Sequence, residues 1–420
     1  MSAPLTEHAA TRVFCGIDWA EDHHDIALID TDGNLLAKQR IPDDAQGLAL
    51  LLDLLAQHET PGNLVPVAIE TSRGLLVACL RATGRTVYCI NPLAVARYRE
   101  RYSVARAKSD HADAMTLANV LRTDAQRHRP LPEDSELAQA VAVMARAQQD
   151  AVWNRQQIAN QLRSLLREFF PAALEAFQTK SLGLTSAEAR TILLAAPTPH
   201  QAARLARPRL RSLLRRSGRQ RNIDTFTERI HQALRTEHMR QPARIEEAFG
   251  RQARALLLQL DAACRAVEEL AEATAEAFRE HPDAEIIASF PGLSDLMGAR
   301  VLAEIGDDRA RFADARALKC YAGSAPITRA SGRSHVVMHR RVKNQRLATA
   351  GYVWAFASLK SPGPRAHYDR RRTVGDRHSS ALRNLFNRFL GCLFHCLRER
   401  VCYDEVTAFP PARPELRAVA

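Results

Sequence analysis

The chain has 420 residues, of which 46% are hydrophobic and 25% charged, as in ordinary soluble proteins with substantial cores. This length predicts two or three domains, and no stretch approaches the ~18 uncharged residues that a membrane span requires. The formal net charge is +12, with arginine far more frequent than lysine. Because lysine and arginine displace condensed counterions from phosphates, this basic excess favours a nucleic acid as partner.

The eight cysteines are scattered and lie mostly within apolar runs, which predicts reduced buried thiols and no disulfide framework. Cys392, His395 and Cys396 share an apolar helical pattern, and without a Cys-x-x-Cys pair they do not favour zinc. The N-terminus has no apolar signal core. These features predict a cytoplasmic protein.

Residues 12–90 read as three strands, then a helix, a strand, a helix and a strand. The predicted elements are, in chain order, Arg12–Ile17, Asp25–Asp30, Leu35–Ile41, Asp43–Gln57, Leu64–Glu70, Gly74–Thr83 and Thr86–Ile90. Three antiparallel strands followed by alternating helices and parallel strands is the order of the ribonuclease-H-like α/β fold. In that fold the ends of the central strands lie side by side.

Four acidic residues stand at the ends of these elements. Asp18 and Glu70 each close a strand pattern, and Asp110 and Asp113 begin a helical one. Each acid alone is more simply a turn or helix-cap residue. Taken together, the four acids favour a shared site, because neighbouring strand ends meet and an i, i+3 pair projects two carboxylates to one side. Clustered carboxylates repel one another unless a cation neutralises them, so the four predict a site for Mg²⁺ or Mn²⁺.

Two long helical patterns, Ser135–Leu174 and Ala243–His281, flank an irregular segment. Their apolar stripes fit an antiparallel coiled-coil arm that would serve as a dimer surface, and a plain helical bundle fits equally well. The segment between them holds eight arginines from Arg204 to Arg221. Such close like charges repel each other, which favours a phosphate-bearing partner.

The third region begins with a Pro-Gly-Leu-Ser turn at 291–294 between two helical stretches. This turn resembles a helix-hairpin-helix element, in which backbone N–H groups can hold a phosphate. Two basic runs and two helices are expected next, at His335–Arg346, Leu347–Leu359, Arg365–Arg377 and Ser379–Arg400. Prolines beyond Phe409 predict a disordered tail over 409–420.

A Ser-Gly pair at Ser331 stands between Arg329 and Arg333. An exposed hydroxyl with cations beside it to hold a phosphate is a candidate nucleophile. Ser-Gly pairs are common in loops, however, and Ser324 in a Gly-Ser-Ala-Pro stretch is a second candidate.

Several segments, taken in order, resemble the DEDD transposases of bacterial insertion sequences, the bridge-RNA-guided serine recombinases. These segments are GIDWAEDHHDIALID, VAIETSRG, AKSDHADA, PGLSDLMGARVLAEIGD and YAGSAPITRASGR. The resemblance spans nearly the whole chain. It implies a RuvC-like DEDD domain at 1–134, a coiled-coil or helical region at 135–282 and a mainly α-helical transposase domain at 283–408.

The resemblance implies an enzyme that cuts and rejoins insertion-sequence DNA, guided by a structured RNA from the element and acting as a dimer or tetramer. Asp18, Glu70, Asp110 and Asp113 would hold the metal, and Ser331 would attack DNA covalently. Nucleic-acid contacts are expected at Arg207, Arg209, Arg211, Arg215, Arg216, Arg219, Arg329, Arg333, Arg340, Arg341 and Lys343.

Three other functions fit parts of the sequence. A RuvC-like structure-specific endonuclease would use water in place of the serine. Actin-like sugar kinases begin with similar strands, but they need a second phosphate-binding glycine loop, and none is evident after residue 150. A nucleic-acid-binding regulator with a vestigial core would not depend on metal.

Overall fold

The computed structural model describes residues 12–60, 62–99, 110–177 and 182–410. The chain divides into two compact units, Met1–Glu133 and Asp134–Ala420. Within the described ranges, every helix is too short or too polar to span a lipid bilayer.

The first unit is built on five strands. They are β1 (Phe14–Trp19), β2 (His23–Ile29), β3 (Leu35–Pro42), β4 (Val67–Ile69) and β5 (Val87–Cys89). They form one sheet of order β3-β2-β1-β4-β5, antiparallel on the β3 side and parallel from β1 to β5. The predicted strands are confirmed, and this mixed sheet is consistent with a ribonuclease-H-like domain.

Both faces of the sheet are covered by helices. These are α1 (Ala45–Ala56), α2 (Leu75–Ala82), α3 (Pro92–Arg99) and α4 (Asp110–Asp124). Side chains alternate between the two faces of a strand. Ile17 therefore faces the core under α1 and α2, and Phe14 faces the core under α3 and α4. Asp44 is the cap of α1, since its carboxylate accepts the Gly47 N–H at 2.7 Å.

The second unit is mostly helical. Its first helices are α5 (Glu136–Phe169), α6 (Pro171–Ala176), α7 (Ala187–Ala195), α8 (Pro199–Ala203), α9 (Arg207–Arg216), α10 (Ile223–Ala233) and α11 (Ala243–Arg279). The long pair α5 and α11 is antiparallel, because Val141 shares a core with Phe278 and Phe169 stacks on Phe249 at 5.2 Å. A second core joins the same two helices to α6, α7, α9 and α10. The pair is thus part of a helical bundle, and a coiled coil is not confirmed.

The rest of this unit holds seven helices and a hairpin within the described residues. They are α12 (Ala284–Ala288), α13 (Asp295–Ile305), α14 (Ala315–Tyr321), β6 (Ile327–Ser331), β7 (Ser334–Met338), α15 (Gln345–Ala357), α16 (Pro362–Thr373), α17 (His378–Glu399) and α18 (Glu405–Ala408). Trp354 and Phe389 stack in their common core at 4.9 Å. The domain division at 282/283 stays a prediction.

The Pro-Gly turn after α12 has a packing role. Gly292 has φ +84°, and a Cβ added there would lie 2.6 Å from the Ser358 nitrogen, just after α15. The Trp354 indole also donates to the Pro291 carbonyl at 3.1 Å. This packing holds the turn against the end of α15, and phosphate binding by its backbone N–H groups stays a prediction.

The predicted tail falls mainly outside the described residues, which end at 410. Its first residue, Phe409, packs edge-on against Phe389 at a centroid distance of 5.9 Å.

Candidate active site and nucleic-acid interface

Two of the predicted acids end neighbouring parallel strands. Asp18 lies near the end of β1, Glu70 directly follows β4, and the register pairs Ile17 with Ile69. Ala68 of β4 lies in the core under α4. Alternation along each strand therefore directs the half-buried carboxylates of Asp18 and Glu70 to the face under α4, at one edge of the sheet.

The helix α4 brings the other two acids. It crosses β1 so closely that a Cβ added to Gly16 would lie 2.0 Å from the Ala114 carbonyl oxygen. Only glycine permits this approach. Asp113, the neighbour of Ala114, is buried, and its carboxylate contacts the Arg99 guanidinium of α3. Asp110 begins α4, and its side chain lies outside the described part of the chain.

These donors suit a hard divalent cation. Mg²⁺ and Mn²⁺ prefer carboxylate oxygens and share the remaining positions with water and phosphate. Asp113 Oδ1 is buried, and although Arg99 contacts it, no hydrogen bond of acceptable angle reaches it. Buried oxygens are rarely left this way. No three His, Cys, Asp or Glu side chains of the described ranges converge as a finished cation site. Asp18, Glu70 and Asp113 therefore do not complete a cation site by themselves, and the side chain of Asp110, the fourth carboxylate, lies outside the described residues.

A fifth carboxylate, Asp25, was not predicted for this edge. It lies opposite Asp18 in the antiparallel register and is only 1% exposed. Arg40 of β3 binds it through two hydrogen bonds, from Nε at 3.2 Å and from Nη2 at 2.7 Å. Directly opposed residues have Cβ atoms about 4.5–5.5 Å apart. Asp25 and Arg40 therefore add a paired charge beside Asp18.

Ser331 lies at the tip of a β-hairpin in the second unit. It is the last residue of β6 and pairs with Ser334 across the two-residue turn Gly332-Arg333. Gly332 has φ +54°, the sign that a type II′ turn needs at its first central position. Almost every hairpin residue is exposed, and the Ser331 hydroxyl forms no hydrogen bond within the described ranges. The hydroxyl is therefore accessible, as predicted.

The rival serine has a different environment. Ser324 is 6% exposed, and its hydroxyl donates to the Lys319 carbonyl at 3.3 Å and accepts from Asn387 Nδ2 at 3.0 Å. A buried, hydrogen-bonded hydroxyl is poorly placed to meet a DNA strand. The geometry thus favours Ser331 over Ser324 as a nucleophile.

Half of the predicted arginines on and after α9 are neutralised by acids from α7 and α10. These ion pairs are Arg207 with Glu228 at 2.7 Å, Arg211 with Asp224 at 2.6 Å and Arg219 with Glu188 at 2.8 Å. The hydrogen bonds from Arg207 lower the pKa of Glu228 to about 2. Arg209, Arg215 and Arg216 are exposed and form no ion pair with any described residue. The expectation that the whole cluster needs a phosphate partner is thus corrected for the paired arginines.

The cations around the hairpin also divide into two groups. Arg329, Arg333 and Arg341 are exposed. Arg340 and Lys343 are half-buried and pack against the end of α14 and the residues that follow it. The exposed group is accessible to a nucleic acid, and the half-buried group anchors the base of the hairpin.

Known proteins match the chain along most of its length. Residues 15–171 match the profile of DEDD transposases of the IS110 type, and residues 284–369 match the transposase IS116/IS110/IS902 family. The chain is 63% identical to the mini-circle putative transposase for IS117 of Streptomyces coelicolor, over 95% of this chain and 97% of that protein. It is 32% identical to the insertion element IS900 uncharacterized 42 kDa protein of Mycobacterium paratuberculosis, over 95% and 98% of the two chains. With the insertion element IS116 uncharacterized 44.8 kDa protein of Streptomyces clavuligerus the identity is 29%, over 96% and 97%.

Proposed function

Because the chain belongs to the IS116/IS110/IS902 family of transposases, we propose that it cuts and rejoins insertion-sequence DNA with two separate chemical groups. The first is a divalent-cation site at Asp18, Glu70, Asp110 and Asp113, and the second is the nucleophile Ser331. The observation that supports this best is the convergence of Asp18 and Glu70 at the ends of neighbouring parallel strands, under the helix that bears Asp113.

A bound Mg²⁺ or Mn²⁺ would polarise the scissile phosphodiester and neutralise its developing charge. The sheet directs Asp18 and Glu70 to one face, and α4, which bears Asp113, crosses that face closely at Gly16. Arg99 is a positioning residue, since its guanidinium holds the Asp113 carboxylate.

Ser331 Oγ would attack the phosphorus and give up its proton. A phosphoserine ester forms as the bond from phosphorus to one deoxyribose oxygen breaks, and that oxygen takes a proton. Rejoining reverses the step: a deoxyribose hydroxyl attacks the phosphoserine, and Ser331 regains its hydrogen. One phosphoester replaces another, so the exchange requires no external energy source.

The partners that we propose are DNA and a structured guide RNA. Arg209, Arg215, Arg216, Arg329 and Arg333 are exposed and form no ion pair with a described residue, so they are suited to phosphate contacts of this kind. A homo-oligomer, a dimer or a tetramer, would bring element ends and target DNA together.

A denaturing gel tests the nucleophile. Full-length protein is incubated with labelled element-end DNA, Mg²⁺ and the element RNA, and the products are denatured and separated. The wild-type protein should yield a labelled protein–DNA adduct, and Ser331→Ala should yield none. Ser324→Ala is the matched control and should keep the adduct, because Ser324 is buried.

Three other outcomes of this experiment would each change the proposal. An adduct that persists in Ser331→Ala moves the nucleophile elsewhere. DNA cleavage without any adduct indicates an endonuclease that uses water. An adduct yield that is the same without RNA argues against RNA guidance.

A further inference from the structure

The second unit contains a cavity that none of the proposed chemistry uses. It has a volume of about 760 Å³ and lies between the end of α14, helices α16 and α17, and the segment that leads into α18. Pockets of roughly 300–1,000 Å³ hold small molecules or single groups of a larger ligand.

Basic groups dominate its wall. Lys319 places its ammonium over Gly391 of α17, where an added Cβ would lie 3.0 Å from Nζ. No carboxylate of the described ranges forms an ion pair with Lys319. Arg388 donates to the Ala408 carbonyl at 2.6 Å and forms no ion pair with an acid among the described residues. The lining includes one acidic side chain, Asp404, which caps α18 through the Thr407 N–H at 2.7 Å.

Two hydrogen-bond donors in the wall have no acceptor. Arg370 lies 3.1 Å from His367 Nδ1, and because a guanidinium only donates, Nδ1 accepts and Nε2 bears the hydrogen. His367 is neutral, since burial lowers its pKa to about 4. Neither His367 Nε2 nor the Tyr403 hydroxyl has a hydrogen-bond partner among the described residues, although both atoms are buried. Burial raises the pKa of Tyr403, so its hydroxyl keeps its proton.

Another part of the wall is aromatic and apolar. The Tyr403 ring is fixed by Phe290 at a centroid distance of 4.6 Å, and the lining also includes the apolar side chains of Val401, Cys392 and Ala408 besides the polar Asn384 and Asn387. A matching ligand has an anionic group for Lys319 and Arg388, acceptors for His367 and Tyr403, and a flat apolar body. A nucleotide has all three, and nucleic-acid enzymes place single unstacked bases in pockets of this kind.

We propose that this cavity binds one unstacked nucleotide of a DNA or RNA strand, with the phosphate on Lys319 and Arg388 and the base against Tyr403. The inference rests on the proposed function for the presence of a nucleic acid, but the residues that line the cavity include neither Ser331 nor the four carboxylates. It would fix the register of the strand on the second unit without taking part in the chemistry.

Binding of bulged duplexes tests the proposal. Full-length protein is titrated with a duplex bearing one extrahelical 2-aminopurine nucleotide and with the same duplex lacking the bulge, in a DNA and an RNA version. The wild-type protein should bind one bulged version more tightly and change its 2-aminopurine fluorescence. Lys319→Gln should weaken that binding about tenfold, the effect expected for one lost charged hydrogen bond. Tyr403→Phe should weaken it about threefold.

Matched substitutions control for charge and folding. Lys360→Gln and Tyr352→Phe make the same chemical changes at exposed positions outside the cavity and should leave the bulge preference unchanged. The DNA and RNA versions show which strand supplies the nucleotide. The proposal is overturned if the wild-type protein does not prefer the bulge, or if the cavity and control variants lose affinity equally. If a serine adduct still forms in that case, the proposed transposase chemistry stands. If neither the bulge preference nor the adduct is observed, both proposals are rejected.

Discussion

The two proposed chemical groups, the carboxylates of the first unit and Ser331 of the second, are supported in opposite ways. Asp18 and Glu70 are held by a sheet covered on both faces, and Asp113 by a helix pressed against that sheet at Gly16. Ser331 stands on an exposed hairpin with no core beneath it. A cation site needs several ligands at fixed distances, so its ligands lie on rigid elements. A nucleophile that must reach a DNA strand needs access first, and the strand itself can complete its position.

The largest expected effect is a loss of recombination without a loss of the fold, caused by one substitution in the first unit. Asp18→Asn should lower recombination by about 1,000-fold, because a metal ligand contributes several kcal/mol to the transition state. The fold should be intact, since Asp18 is half-buried and the amide has nearly the same shape. Recombination measured beside circular dichroism and thermal unfolding checks this. Normal recombination in the variant would remove Asp18 from the metal site.

A pair of glycine substitutions tests the structural contrast itself. Gly16→Ala should destabilise the first unit by about 3 kcal/mol, because the new methyl group collides with backbone atoms of α4. Gly332→Ala, in open space on the hairpin, should cost about 1 kcal/mol or less, mainly from its positive φ. Urea unfolding of the two variants checks the difference. Equal losses would contradict the contrast between the tightly packed sheet of the first unit and an open hairpin.

Strand alternation and helix spacing were sufficient to predict the sheet and its acids. Asp18 and Glu70 end predicted strands that are present in the structure, and α4 begins at Asp110 as expected. These features depend on local periodicity, which is visible in a single sequence. The exposed position of Ser331 was also predicted, from the turn residues around it.

Contacts between distant segments could not be predicted in the same way. Asp25 stands beside Asp18 only through the β1–β2 register, and strand alternation together with that register is the signal that would have indicated it. The charge of Arg207 is neutralised by an ion pair with Glu228, which lies on another helix. The Pro-Gly turn is covered by the C-terminal end of α15 and the residue after it, more than sixty positions along the chain. Each outcome depends on tertiary packing, which has no local pattern.

The acid stability of the second unit gives a smaller effect. His367 has a folded pKa of about 4, below its ordinary 6.5, so the unfolded chain binds its proton first as the pH falls. The contribution of neutral His367 to the free energy of unfolding is complete above pH 6.5 and is lost as the pH falls from 6.5 to 4. Because the ring is only half-buried, we expect a loss of about 1–2 kcal/mol. His367→Gln, which does not titrate, should show a pH dependence of unfolding smaller by that amount. Urea unfolding at pH 7 and pH 4.5 measures this difference. An equal change in the free energy of unfolding for the two proteins between these pH values would contradict the expectation.

The smallest effect distinguishes a free from a paired arginine on one helix. Arg209 has no ion pair within the described ranges, whereas Arg207 is bound to Glu228. If α9 contacts phosphates, Arg209→Gln should weaken DNA binding a few-fold and reduce the salt slope of log K by about 1. Arg207→Gln should change the slope less, because its charge is already compensated in the free protein. Binding titrations between low and physiological salt measure both slopes. Equal slopes for the two variants would mean either that DNA displaces Glu228 or that α9 lies away from the nucleic acid. A change from the wild-type slope in both variants indicates displacement, and no change in either removes α9 from the interface.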